Sequence, residues 1–286
     1  LSAAATASLA APARAALHFR AGLAYHRDQD VGPCLEHYAQ AIAAYRALKD
    51  VRGLAQVLLE QTETQFTLAS VPLGTLPDLE PLEEMLEALQ DAAPELCGRI
   101  FALLAQAYRH ARQGAKAQAM AQRALAMGQD LADDELSARA GAALGLGYMQ
   151  SLQVHEALDS WQRAVEAAQR LHDLRLHGCP LARIPLGLVL LGRLEEAETV
   201  AGEATAVNRT IHEWGEGVSV ALSHLVCVAV ARGDFATAER YTQETMAAVS
   251  RSGYPWGGFR ALLALACAQT LRGDWPHRRT VFVLGA

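Results

Sequence analysis

The sequence has no sheet-forming pattern, little aromatic surface and no concentration of positive charge. Val, Ile and Thr never alternate with polar residues over the length of a strand, so no half-buried strand is predicted. Aromatic residues are only 6% of the 286 positions, and much of the 51% hydrophobic content is alanine. Lysine occurs only at Lys49 and Lys116, and no basic block is longer than Arg278–Arg279 beside His277. With a formal charge of −6, the chain lacks the concentrated basic face that nucleic-acid binding requires. No apolar run reaches the roughly 18 residues of a membrane span. The cysteines, Cys34, Cys97, Cys179, Cys227 and Cys267, stand singly and are odd in number. That argues against a disulfide framework and predicts buried thiols in a cytoplasmic protein.

Catalytic patterns are missing as well. There is no G-x-S-x-G and no H-E-x-x-H. His172, His177 and Cys179 lie close together in "LHDLRLHGCPL". They are expected at a helix end and a turn, without the fourth ligand that a closed zinc site needs. The acid pairs Asp133–Asp134, Glu83–Glu84 and Glu195–Glu196 each fall near an expected helix start, where carboxylates favour the positive end of the dipole. No catalytic residue, metal or cofactor is predicted, and enzymatic activity is not expected.

What remains is a chain rich in Ala, Leu, Glu, Gln and Arg, the strongest helix formers. "ALGLGYMQSLQVHEALDSWQRAVEAAQRL" (143–171) has glycines one residue apart. A dinucleotide-binding loop would need a preceding strand and a third glycine, and neither is present. Gly145 and Gly147 are therefore expected inside a helix, where each costs about 1 kcal/mol relative to Ala. Close approach of a second helix explains them: Leu144, Gly145 and Tyr148 face Ala157, Trp161 and Ala164. The arrangement recurs. Gly22 and Tyr25 precede Cys34, Tyr38 and Ala41; Leu104, Ala105 and Tyr108 precede Ala117, Ala121 and Ala124. Small residues on the second helix fall at Ala117, Ala157, Ala197 and Ala238, a period of about 40 that predicts stacked helical hairpins.

This pattern resembles the tetratricopeptide repeat (TPR), with Leu144, Gly145, Tyr148, Ala157, Trp161 and Ala164 as the fullest match. The units are longer than that family's roughly 34 residues. They are similar to the repeat arms of large bacterial ATP-dependent transcription regulators and of cyclase/ATPase signalling proteins. The resemblance implies an all-α fold, a right-handed superhelical solenoid of about seven antiparallel hairpins with first helices centred near residues 23, 60, 105, 143, 186, 225 and 265. Residues 1–16 are expected to form a helical lead-in, 17–275 the repeats, and 276–286 a truncated or irregular end. The missing initiator Met suggests an excerpt of a longer protein.

In the resembling family the first helices line a concave face that grips a peptide or a neighbouring domain. That register points to Arg99, Gln106, Arg109, His110, Arg139, Met149 and Gln150 as partner-binding residues. The expected role is a non-enzymatic interaction module whose partner is a protein, a peptide or an adjacent domain of the same polypeptide. The chain lacks the Lys/Asn clamp used by chaperone-binding members. In the C-terminal half, Leu186, Val189, Val230, Leu263 and Leu271 suggest an apolar groove, and hence a second reading as a sensor of a small effector. Two segments stay open between partner contact and structural filler: the Pro-rich connection at 70–81 and "RSGYPWGG" (251–258) with Tyr254 and Trp256.

Overall fold

The structure is a computed structural model that describes residues 9–28, 30–67, 77–89, 92–211, 215–252 and 256–272. Among these the chain is helical throughout. The helices are α1 Ala11–Arg27, α2 Val31–Leu48, α3 Val51–Thr67, α4 Glu80–Leu89, α5 Pro94–His110, α6 Gly114–Asp130, α7 Asp134–Gln150 and α8 Val154–Arg170. They continue as α9 Leu174–Leu181, α10 Ile184–Leu190, α11 Leu194–Thr210, α12 Gly215–Ala231, α13 Phe235–Ser252 and α14 Trp256–Arg272. Successive helices pack as hairpins: α1 on α2, α3 on α4, α5 on α6, α9 and α10 on α11, and α12 on α13. Two compact units are present, the first ending at Leu136 and the second beginning at Ser137.

The 40-residue period is two 20-residue steps, each a helix and its turn. Left-handed backbone occurs at Arg112, Ala132, Leu152, His172 and Gly192, twenty residues apart, and again at Gly233. Each of these turns closes the same way. Arg112 N–H donates to Arg109 C=O and Gln113 N–H to Tyr108 C=O, at 3.0 and 2.8 Å. Leu152 with Gln153 and Gly192 with Arg193 repeat the pair of bonds. This is the Schellman arrangement, which satisfies the last carbonyls of one helix. The following residue then starts the next helix. Asp133 Oδ1 accepts from Leu136 N–H at 3.0 Å and Asp234 Oδ1 from Thr237 N–H at 3.1 Å. Asp173 Oδ1 accepts from Arg175 and Leu176 N–H.

Small residues set the helix separation, as their spacing predicts. Ala157, Ala197 and Ala238 are fully buried and Ala117 nearly so. A Cβ on Gly145 would collide with the buried indole of Trp161, whose Nε1–H donates to Ala142 C=O at 3.3 Å. A Cβ on Gly22 would collide with the ring of Tyr38 in the same way. In the first unit these contacts merge into one apolar core from Ala15 to Ala117 that includes Tyr38, Leu59, Leu82, Ile100 and Leu104.

Two expectations need correction. The first helix of the fifth unit is not continuous: α9 and α10 are separated at Ala182–Arg183. Pro185 lacks the N–H that would bond to Leu181 C=O, and Pro180 lies within α9. His177 and Cys179 consequently sit inside α9 rather than at a helix end and a turn; His172 alone is in the turn. Of the residues expected to line an apolar groove, Val189 and Val230 are partly buried. Val189 packs against Leu188, Ala197 and Val228, and Val230 packs against Val226 and Leu265. Leu263 is 53% exposed and Leu186 is partly buried. The side chains of Leu271, Tyr254 and Trp256, most of the 70–81 connection and the 276–286 end lie outside the described residues. No described helix is long and apolar enough to cross a membrane.

Candidate interaction surfaces

In the first unit the first helices α1, α3 and α5 bring polar groups onto a shared face. Arg99, Gln106 and His110 are seven and four residues apart on α5, which places them along one stripe. Arg99 Nη2 reaches Glu60 Oε1 of α3 at 2.9 Å, with side chains 42% and 18% exposed. A pair this wet contributes about 0–1 kcal/mol to stability, so its main effect is to orient the guanidinium. Gln106 is exposed, while Arg109 and His110 are partly buried. The His110 ring meets Phe66 edge-on, with centroids 5.7 Å apart.

One turn along α3 from Glu60, Thr64 is fully buried and its hydroxyl donates to Glu60 C=O at 2.8 Å. With that proton committed, His26 Nδ1–H donates to Thr64 Oγ1 at 2.6 Å, tying α1 to α3. Behind them lie Cys34 and Tyr38, both fully buried; burial raises the pKa of each. Lower on α5, the Tyr108 hydroxyl donates to Glu83. Burial, reinforced by that carboxylate, pushes its pKa up to about 12.

In the second unit, Arg139 and Gln150 are eleven residues apart on α7, three turns along one stripe, and both are exposed. Met149 beside them is partly buried. The proposed set thus divides into Arg99, Gln106, Arg109 and His110 in one unit and Arg139, Met149 and Gln150 in the other.

The structure adds residues that the sequence reading passed over. His224 of α12 is fully buried, and its Nδ1–H donates to Ala182 C=O at 2.8 Å. That carbonyl lies at the α9–α10 break, where Leu186 N–H turns to Arg183 C=O instead. The ring therefore covers the acceptor that the break exposes. Its other nitrogen, Nε2, accepts from Arg260 of α14. Burial, with Arg260 and then Arg183 adding positive potential, holds the His224 pKa well below the ordinary value and the ring neutral. Arg183 Nη1 donates to Cys179 C=O at 2.8 Å and to Cys179 Sγ at 2.6 Å. The signal for Arg260 was in the repeat. Glu60, Arg99, Arg139, Cys179, Ser219 and Arg260 follow one another at intervals of 39 to 41 residues along successive first helices.

No family model matches the chain, and no curated protein matches it. Solved structures do. Aspartyl phosphate phosphatase F from Bacillus subtilis superimposes with a TM-score of 0.67 at 12% identity, over 93% of this chain and 67% of that one. NprR in complex with its cognate peptide NprX gives 0.64 at 13% identity, over 94% and 76%. A signal transduction ATPase with numerous domains and a tetratricopeptide repeat sensor, from Pyrococcus horikoshii, gives 0.52 at 16% identity. There the match covers 86% of this chain and 34% of that one. The fold is a TPR-like helical array.

Proposed function

We propose that this TPR-like array is a non-enzymatic interaction module, the regulatory or sensor arm of a larger signalling or transcription-regulating protein, and that it binds a peptide or partner domain through its first helices. The observation that carries this reading is the repeated first-helix register. Within each unit it gives polar residues equivalent first-helix positions, Glu60 and Arg99 in the first and Arg139 and Arg260 in the second, while the second helices supply the alanine packing. Arg99, Gln106, Arg109 and His110 are the contact residues we assign in the first unit, and Arg139, Met149 and Gln150 those in the second. NprR, which shares the fold, forms a complex with its cognate peptide NprX, and the Pyrococcus protein is an ATPase with a tetratricopeptide repeat sensor. Both support a regulatory role built on partner recognition.

The test is selection of binders from a random peptide library, followed by affinity measurement at low salt. A variant combining Arg99→Gln, Arg109→Glu and Arg139→Glu is expected to bind at least about tenfold more weakly, the scale of one lost charge-assisted contact. Its helicity by circular dichroism should be unchanged. Undiminished affinity would remove these arginines from the binding face.

A further inference from the structure

Helix α1 is thinly held. Along its 17 residues only Ala15 and Gly22 are buried, and neither offers more than a methyl group to the core. Ala11 to Arg14 and Ala16 are exposed, and no side chain caps the helix start. The C-terminal half is tied twice, by Gly22 against the Tyr38 ring of α2 and by His26 on Thr64 of α3. The polar tie of the N-terminal half is a pair of histidines, His18 of α1 and His37 of α2.

Their Nδ1 atoms are 3.0 Å apart. The ring centroids are 5.3 Å apart, one such bond plus two ring radii, so the nitrogens aim at each other. That line has room for one hydrogen. One ring donates Nδ1–H, and the other accepts at Nδ1 and carries its own hydrogen on Nε2. A first added proton goes to the donor's Nε2 and leaves the shared hydrogen in place. A second must go to the acceptor's Nδ1, and then two N–H groups and two positive charges face each other. The Tyr25 ring stacks on His37 at 5.5 Å and 12° and sets its plane. Arg14, one turn before His18, adds positive potential; burial first, then His37 and Arg14, hold the His18 pKa below its ordinary value. On α2, Glu36 beside His37 is exposed, and Asp30 stands at the helix start two turns earlier. Helix α3 meets α1 at His26, about 12 Å along the helix from His18, and its Glu60 is paired there with Arg99. The hydrogen-bond partner of each ring is thus the other ring, not a carboxylate.

We propose that His18 and His37 form a proton-operated clasp on the first hairpin. With one hydrogen between the rings, the clasp holds the N-terminal half of α1 on α2. A second hydrogen parts the rings and frees that half, while Gly22 and His26 keep the rest of α1 in place. The turn of α2 after His37, with the fully buried Ala41, is then uncovered. Histidine changes charge between about pH 5 and 8, so the clasp works in mild acid.

The test uses the full chain. Imidazole nitrogen NMR at neutral pH should show one ring with its hydrogen on Nδ1 and the other with its hydrogen on Nε2. The two should titrate in steps at least about one pH unit apart, as coupled groups do. Hydrogen exchange read by mass spectrometry and corrected for the chemical rate follows the helix itself. The amides of residues 14–20 should lose about tenfold of their protection relative to α5 between about pH 7 and 5. His18→Asn and His37→Asn each put an amide where Nδ1 lies, and an amide cannot take the second proton. Both variants should keep the neutral-pH protection and lose its pH dependence. Two rings that titrate independently in the wild type overturn the proposal, as does protection of 14–20 that tracks α5 at every pH. A pH-dependent loss that survives in both Asn variants overturns it as well.

Discussion

Individual residues in this chain are judged by what stands beside them. Gly145 and Gly202 are both helical, yet a Cβ at Gly145 meets the Trp161 indole and one at Gly202 meets nothing within 4 Å. Gly202→Ala should therefore raise stability by up to about 1 kcal/mol through helix propensity. Gly145→Ala should lower it by roughly 1–3 kcal/mol through overpacking. Thermal denaturation of both variants measures the contrast, and equal shifts would show that the α7–α8 pairing is wrongly placed. Gly145 and Trp161 were legible from the sequence because a helix retains a costly glycine only for close packing. His224 was not, because its role depends on a helix break more than forty residues earlier. It also gives a pH signature. Its folded pKa is depressed, so below the ordinary value of 6.5 the unfolded chain takes up a proton that the native ring refuses. Stability should fall as pH drops through that value, by about 1.4 kcal/mol per unit for one proton. His177 and His18 shift in the same direction. His224→Gln should flatten the acid limb of a urea-midpoint profile between about pH 7 and 5. An unchanged slope would mean that the native ring is not held neutral.

At the scale of helices and turns, the 40-residue unit is two nearly identical 20-residue steps. The sequence displayed the period through its alanines but hid the reason, since most of the left-handed turn positions are not glycine. Arg112, Ala132, Leu152 and His172 adopt a conformation that Gly192 and Gly233 adopt without strain. Ala132→Gly should accordingly stabilise the chain by about 0.5–1 kcal/mol, and Gly192→Ala should cost about as much. Chemical denaturation decides this, and a destabilising Ala132→Gly would contradict the turn assignment. The broken first helix of the fifth unit was not anticipated, although Pro180 and Pro185 mark it, and neither was the packing of the second helix against it. Asn208 of α11, almost fully buried, donates to Gly178 C=O at 3.0 Å and wedges between Gly178 and Gly217. Asn208→Ala should cost about 1–3 kcal/mol, from a lost buried hydrogen bond and the space left between two glycines.

For the molecule as a whole, composition and period were enough to reach a TPR-like helical array. Helix placement followed closely, because the alanine stripe fixes which face of each helix is buried. The proposed binding face was legible only as a register: Arg99 and Arg139 were visible, while Glu60 opposite Arg99 and the Arg260–His224 contact were not. A sequence displays the spacing within a helix but not which side chains meet across three repeats. The central claim is that partners bind through the first helices. It is tested most directly by placing the photo-crosslinker p-benzoylphenylalanine at exposed positions of each layer and irradiating with a library-selected peptide. Gln106 and Gln150 represent the first helices, and Gln162 of α8 the second. The account predicts covalent peptide adducts from Gln106 and Gln150 and none from Gln162; adducts from Gln162 alone would contradict it.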